Sequence, residues 1–166
     1  ERDIVPLSEI ERDTLRRYEM GFIFQAVALI PTMTAYENVE FALRIAGLPS
    51  AEREERAHRY LDIVGLSKRL NHLPGQISGG EQQRVAIARA VAHNPHIIIA
   101  DEPTAELDSH TGLYIIKLFK TLVEEEGHTV IMATHDPKVM DVADNVVSLI
   151  DGELVGMESG GKENGK

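Results

Sequence analysis

The chain has 166 residues, of which 43% are hydrophobic and 27% charged, and its formal net charge is −10. These values are ordinary for a globular protein and fit one domain, or one domain with a subdomain. The negative charge gives no support to a nucleic-acid or anionic-lipid surface, so no nucleic-acid partner is expected. The lack of cysteine excludes disulfides and thiolate metal sites, and no run of 18 apolar residues predicts a membrane span.

The first third of the chain contains two helix starts and one strand. Ser8 and Thr34 each stand three residues before a glutamate, the pattern of a capping box. We therefore predict a helix after each of them, the second ending at Gly47. Residues 20–24 form a compact apolar strand, and Gln25 follows at its end.

The middle third is predicted to be helical. Ser50 is predicted to cap a strongly charged helix over residues 51–64, whose charges we interpret as a solvated face with i,i+4 pairs. Ser78 and Glu81 form another capping box, which begins a helix over residues 79–93.

An apolar, β-branched run follows over residues 97–100 and ends in two adjacent carboxylates, Asp101 and Glu102. This pattern predicts a buried parallel strand that delivers acids to the carboxyl edge of a sheet, where ligands of open α/β folds bind. Asp108 is then predicted to cap a helix that extends to residue 126.

The last part of the chain contains further strands. Residues 129–133 predict a second buried strand and residues 145–150 a third. Residues 153–155 complete a hairpin with the third strand. The glycine-rich residues 158–166 are predicted to be a disordered tail.

The turn at Ser78, Gly79 and Gly80 has features that favour the binding of an anion. Two glycines beside a helix cap let another backbone approach closely, and the first N–H groups of the helix favour an anion such as phosphate. An ordinary helix cap is the alternative interpretation of the turn taken alone.

Together these stretches resemble ABC-type ATPases. Residues 77–90 (ISGGEQQRVAIARA) are similar to the signature motif of that family, and residues 97–108 (IIIADEPTAELD) are similar to its Walker B region. The resemblance implies an α/β fold with an incomplete RecA-like P-loop NTPase core, a mostly parallel sheet with flanking helices. It places this core in residues 1–24 and 95–157 and an α-helical subdomain in residues 25–94.

The resemblance also implies site residues and cofactors, namely ATP and Mg²⁺. It assigns Asp101 to Mg²⁺ and Glu102 to the general base that polarises the attacking water. Gln25 resembles the glutamine that reaches Mg²⁺ and the water in this family. His135 resembles the histidine that contacts the γ-phosphate.

A paired arrangement follows from the same resemblance. Two subunits associate head to tail, so that Ser78, Gly79, Gly80 and Glu81 of one subunit close over ATP held by the other. Asp108 resembles the aspartate that crosses this interface, a role compatible with capping a helix.

The resemblance extends to the subgroup that serves lipoprotein release, macrolide export and cell division. It implies an ATPase subunit on the cytoplasmic, inner face of the cell membrane, which contacts a membrane permease through residues 25–34. The cargo and the direction of transport are set by the membrane subunit in this family, and this chain does not specify them.

One expected motif is missing. The family needs a Walker A loop, G-x-x-x-x-G-K-[ST], and the 24 residues before Gln25 contain none. We therefore expect an ATPase domain truncated at its N-terminus, which alone neither binds ATP tightly nor hydrolyses it. Residues 160–166 fit the first seven positions of this pattern, but no Ser or Thr follows, so we interpret them as tail.

Two alternatives stay open at the level of sequence. The first is a non-transport ABC-type ATPase of the chromosome or repair class, in which long coiled coils replace the insert between Gln25 and Ser78. No sustained heptads occur here. The second is a regulatory module that kept the fold and lost the ability to hydrolyse ATP. The missing Walker A loop is consistent with this alternative.

Overall fold

The computed structural model describes residues 3–159. The helices are α1 (Glu9–Glu19), α2 (Ala35–Ile45), α3 (Ser50–Ile63), α4 (Gly79–Val91), α5 (Ser109–Glu124) and α6 (Pro137–Met140). The strands are β1 (Met20–Ile23), β2 (Ile97–Asp101), β3 (Thr129–Ala133), β4 (Asn145–Ile150) and β5 (Glu153–Ser159). None of these helices combines the length and apolar character needed to cross a bilayer.

The chain divides into two compact units, one ending at Ala133 and the other beginning at Thr134. This boundary differs from the predicted division into an ATPase core and a helical subdomain, which stays a prediction. Each unit is described by itself below.

A parallel three-stranded sheet lies in the first unit, in the order β1-β2-β3. It confirms the predicted α/β fold with flanking helices. The central strand is buried at Ile98 and Ala100. The predicted burial of β3 is wrong, because Ile131 is 57% exposed and β3 pairs only with β2 among the described residues.

One apolar core joins this sheet to the helices. Its largest fully buried side chains come from β1, β2 and helices α2 to α5, together with the turn that follows α3, and include Ile23, Ile98, Leu43, Leu61, Leu66, Ile87, Ile115 and Leu122. The short insert between β1 and α4 therefore forms two helices, of 11 and 14 residues, that pack into this core. Helices of this length contradict the long coiled coils of the chromosome and repair class.

The predicted capping boxes at Ser8, Thr34 and Ser78 are confirmed, each with both reciprocal hydrogen bonds. The predicted cap at Ser50 is wrong. Ser50 is the first residue of α3, Pro49 occupies the N-cap position, and no side chain caps this helix. The residue three positions after Ser50 is an arginine, which cannot complete a capping box.

The charges of α3 are only partly the solvated face that the sequence suggested. Arg56 pairs with Glu52 at i,i+4 as expected. Two other arginines of α3 reach different elements: Arg53 pairs with the buried Glu40 of α2, and Arg59 pairs with Glu126 beyond α5. These ion pairs connect α3 to its neighbours.

The second unit contains α6 and an antiparallel β4–β5 hairpin, which confirms the predicted hairpin. The predicted burial of β4 is wrong, because Leu149 and Ile150 are 65% and 62% exposed. The predicted tail begins two residues too early, since Glu158 and Ser159 continue β5 opposite the start of β4. Residues 160–166, with their Walker A-like letters, lie outside the described residues.

Candidate functional site

Polar side chains leave two neighbouring strands at the same edge of the sheet. Ile23, the last residue of β1, lies beside Ala100 of β2 in the parallel register. Asp101 is the exposed final residue of β2, and Gln25 follows Ile23 by two residues, in an exposed bend. The structure therefore brings Gln25 and Asp101 to the carboxyl edge of adjacent strands, where open α/β sheets bind ligands.

Glu102 has an unusual backbone conformation that the sequence did not reveal. Its φ is +44°, in the left-handed region that non-glycine residues rarely adopt. Its N–H donates to the Ala133 carbonyl at 2.9 Å, and its own carbonyl accepts from the Ala105 N–H at 3.2 Å. The half-buried Glu102 is thus held in a strained conformation by hydrogen bonds on both sides, a feature that clusters at functional sites.

His135 follows the last residue of β3 by two positions and belongs to the second unit. The residues around it are ordered by short-range hydrogen bonds: Thr134 Oγ1 accepts from the Asp136 N–H at 3.1 Å, and Asp136 caps α6. The association of His135 with Glu102 stays a prediction.

The turn before α4 is organised by Glu81. Its carboxylate accepts from the Ser78 N–H at 2.8 Å, from the Ser78 hydroxyl at 3.0 Å and from Arg69 Nε at 2.9 Å. The Arg69 guanidinium and the Ser78 N–H together lower the pKa of Glu81 from its ordinary 4.5 to about 2. Glu81 is therefore ionised at neutral pH and fixes the Ser78 turn.

The two glycines of this turn have different surroundings. A Cβ built on Gly79 would meet nothing within 4 Å, so this exposed position is open to an approaching molecule. A Cβ on Gly80 would lie 2.5 Å from Thr111 Cγ2, in the first turn of α5. Gly80 is therefore needed for packing inside the chain, whereas Gly79 is available for contact with a ligand.

Asp108 caps α5, which confirms its predicted local role. Its carboxylate accepts from the His110 N–H at 3.0 Å, from the Thr111 N–H at 3.1 Å and from the Thr111 hydroxyl at 2.6 Å. These donors, the Thr111 hydroxyl first, lower the pKa of Asp108. Because Thr111 also contacts Gly80, the start of α5 is connected to the start of α4.

Helix α4 extends from this turn back to the beginning of the sheet. His93, just beyond α4, hydrogen-bonds through Nε2 to the Met20 carbonyl at 3.1 Å. A Cβ on Gly21 would lie 2.3 Å from the Ala90 carbonyl oxygen, so α4 and β1 are in backbone contact there. The carboxyl end of α4 thus lies at the amino end of β1.

Two side chains that the sequence analysis missed hold the loop after Gln25. Arg89 of α4 donates from Nη1 to the Ala28 carbonyl at 2.6 Å and from Nη2 to the Val27 carbonyl at 3.2 Å. Asn38 of α2, only 1% exposed, bonds both backbone groups of Ile30 and two further carbonyls of the loop. Arg89 shows no local sequence signal, since its bonds join positions 61 and 62 residues apart.

The oxygen ligands at the sheet edge suit a Mg²⁺ ion that is bound mainly by the phosphates of a substrate. Within residues 3–159 no three or more His, Cys, Asp or Glu side chains form a cluster able to hold a metal ion. A carboxylate and an amide oxygen, as offered by Asp101 and Gln25, are ligands that suit Mg²⁺ when phosphates complete its shell.

Comparison with known proteins identifies relatives over most of the chain. A family model described as ABC transporter matches residues 2–105. The uncharacterized ABC transporter ATP-binding protein MJ1508 of Methanocaldococcus jannaschii is 50% identical over 90% of this chain and 66% of its own length. The macrolide export ATP-binding/permease protein MacB of Marinobacter nauticus is 49% identical over 93% of this chain.

This chain covers only 24% of the MacB protein and just under two thirds of MJ1508. Among solved structures, the dimeric post-hydrolysis state of the ATP-binding cassette MJ0796, bound to ADP and Pi, superposes with a TM-score of 0.82. Its sequence is 46% identical, over 93% of this chain and 68% of that one.

Proposed function

Because the chain belongs to the ABC transporter family, we propose that it is part of an ATP-hydrolysing subunit that powers export or extraction of a substrate through a membrane permease. The observation that carries the proposal is the sheet edge, where Asp101 ends β2 and the strained Glu102 follows it, beside the end of β1. MacB and other matched relatives are named as export ATP-binding/permease proteins, which supports transport over the other uses of this fold.

In this proposal the carboxylate of Asp101 and the amide oxygen of Gln25 would hold Mg²⁺. The bound ion would supply charge neutralisation at the β- and γ-phosphates of ATP. Glu102 takes the proton of the attacking water as general base, and its fixed backbone limits the positions that the carboxylate can reach. The further proposal that His135 orients this water is supported by its place two residues after β3, the strand next to β2.

The signature turn acts on nucleotide held by a second subunit. The open side of Gly79 is available to γ-phosphate oxygens, which the N-terminal dipole of α4 favours. The Ser78 hydroxyl, which donates to the Glu81 carboxylate in this structure, would exchange that bond for one to a phosphate oxygen. Glu81 serves the site by fixing Ser78, because its carboxylate already accepts three hydrogen bonds and would repel phosphate. The matched cassette is dimeric, which supports a paired arrangement. The proposed pair is head to tail, and Asp108 also reaches its interface.

Residues 25–34 are proposed as the contact with the permease, which would hold the subunit at the inner face of the membrane. Several positions of this loop are exposed, and Phe24 directly before it is 49% exposed. A loop anchored at both ends by Arg89 and Asn38 can transmit a displacement of the permease to Gln25.

The test is ATP hydrolysis by the full-length protein, alone and reconstituted with its permease in lipid vesicles. We expect magnesium-dependent hydrolysis that rises when the permease is present. A hydrolysis rate that is unchanged by the permease and raised by DNA would instead favour the chromosome and repair class and contradict the proposal. Nucleotide binding without any hydrolysis would favour the regulatory module.

A further inference from the structure

The side chain of Arg89 links helix α4 to the backbone that follows Gln25. Its guanidinium donates to two consecutive carbonyls, those of Val27 and Ala28, at 3.2 Å and 2.6 Å. These bonds join positions 61 and 62 residues apart in the sequence. The side chain is half-buried, and this burial lowers the pKa of Arg89. A guanidinium with two backbone acceptors is well fixed, because a charged donor makes strong hydrogen bonds.

The backbone between Gln25 and Ala28 has little conformational freedom once the carbonyls of Val27 and Ala28 are hydrogen-bonded to Arg89. The Val27 N–H donates to the Gln25 carbonyl at 3.0 Å, which closes a tight turn. Ala28 has a φ of +50°, a left-handed conformation that costs free energy in a residue with a Cβ. Such a conformation persists only when its surroundings impose it, and the Arg89 guanidinium on the Ala28 carbonyl is one contact that holds it.

The other end of this link is rigid as well. Arg89 stands between Ala88 and Ala90, both buried, on the part of α4 that packs on β1. The Ala90 carbonyl leaves no room for a Cβ on Gly21. The Cα of Arg89 is therefore fixed relative to β1, and its side chain spans from α4 to the loop that leaves the same strand.

We propose that Arg89 is a positioning residue: by holding the Val27 and Ala28 carbonyls it sets the place of Gln25 at the sheet edge and couples that place to helix α4. This inference rests on the proposed function, in which Gln25 contributes to the Mg·ATP site. In this proposal Arg89 acts through the loop and not through a contact of its own with nucleotide or metal. A displacement of α4, which begins at Ser78, would move Gln25 with it.

The test compares Arg89→Met, Arg89→Lys, Gln25→Ala and the double variant Arg89→Met/Gln25→Ala in the full-length protein with its permease. Methionine keeps an apolar stem and removes all donors, whereas lysine can reach one carbonyl at a time. We expect Arg89→Met to lower kcat by about 10- to 100-fold, because small misplacements of a site group have effects of this size. Arg89→Lys recovers part of the loss, and the double variant matches Gln25→Ala alone.

A matched control is Arg53→Met. Arg53 also donates to a backbone carbonyl, that of Leu48, and pairs with the buried Glu40, but it serves the α2–α3 junction. This variant is expected to lower Tm and to leave the response to Gln25→Ala unchanged. A merely structural Arg89 would behave in the same way, with effects that add to those of Gln25→Ala.

Amide hydrogen exchange in the full-length protein without nucleotide gives a second readout. Arg89→Met is expected to speed exchange in residues 25–28, while Arg53→Met leaves these amides unchanged. Unchanged exchange there, or additive losses of kcat in the double variant, would overturn the inference. If Arg89→Met fails to fold, Arg89→Lys provides the same comparison. A wild-type protein that hydrolyses no ATP would overturn the proposed function instead. The exchange measurement would then still show whether Arg89 fixes the backbone of residues 25–28.

Discussion

Gly80 packs so closely against Thr111 that a methyl group at position 80 would lie 2.5 Å from the Thr111 Cγ2. Thr111 cannot easily turn aside, because it is β-branched and its hydroxyl donates to Asp108 at 2.6 Å. The beginnings of α4 and α5 are thus in direct contact. Of the two glycines in the Ser78 turn, one is needed for this contact and the other is open.

This difference predicts opposite outcomes for two alanine variants. Gly80→Ala should lower the free energy of unfolding by about 1–3 kcal/mol, the usual cost of overpacking. Adding Thr111→Ser removes Cγ2, keeps the hydroxyl, and should recover most of that loss. Gly79→Ala, whose Cβ meets nothing within 4 Å, should leave stability within about 0.5 kcal/mol. Chemical denaturation measures all three, and equal losses for the two glycines would contradict the packing described.

Glu81 predicts a dependence of stability on pH. Because its folded-state pKa is lowered from 4.5 to about 2, the ionised carboxylate favours the folded state. Its contribution is complete above about pH 4.5 and is lost as the pH falls toward 2. Glu81→Gln should therefore cost about 1 kcal/mol at pH 7, a modest figure because Arg69 is partly exposed and solvent screens the pair.

The difference between wild type and Glu81→Gln should shrink when urea unfolding is repeated at pH 3. Glu106→Gln removes an exposed carboxylate elsewhere and controls for the change in net charge. A difference that stays constant from pH 7 to pH 3 would show that Glu81 does not act through its ionised form.

The hydrogen bonds of Asn38 predict that replacing its amide nitrogen by an oxygen destabilises the protein. Its Nδ2 donates to the carbonyls of Ile30, Met33 and Thr34, and its Oδ1 accepts from the Ile30 N–H. Asn38→Asp keeps the shape but replaces the donor by a carboxylate oxygen that repels three carbonyls. We expect a loss of about 2–3 kcal/mol, since buried groups are left without a partner.

Asn71→Asp is the matched control, because this asparagine is exposed. It should change the unfolding free energy by less than about 0.5 kcal/mol. Thermal unfolding of the two variants side by side gives the comparison. Similar small losses for both would contradict the role of Asn38 in holding the loop after Gln25.

The parts of the fold that follow local rules were predictable from the sequence. Ser8, Thr34 and Ser78 each precede a glutamate by three residues, and each begins a helix with both reciprocal hydrogen bonds. Asp101 ends a β-branched run and does end a parallel strand. Ser50 had no glutamate three residues later, and its predicted cap was wrong.

Long-range contacts could not be predicted in this way. The bonds from Arg89 to the Ala28 loop join positions 61 residues apart, and the contact of Gly80 with Thr111 joins two helices. The left-handed conformation of Glu102 carries no sequence signal, because glutamate, unlike glycine, Asn or Asp, has no local preference for it. The sequence therefore predicted the polar residues at the ends of β1 and β2, and the structure shows which hydrogen bonds fix the backbone after each strand.

The central claim is that Glu102 is the general base of an ATPase site at the carboxyl edge of β2. Its most direct test is the rate of Mg·ATP hydrolysis by full-length Glu102→Gln, with Glu106→Gln as the control of a nearby exposed carboxylate. We predict that Glu102→Gln binds ATP and hydrolyses it at least ~10²-fold more slowly, the loss typical of a missing general base, while Glu106→Gln keeps the wild-type rate. Hydrolysis by Glu102→Gln at the wild-type rate would contradict the account.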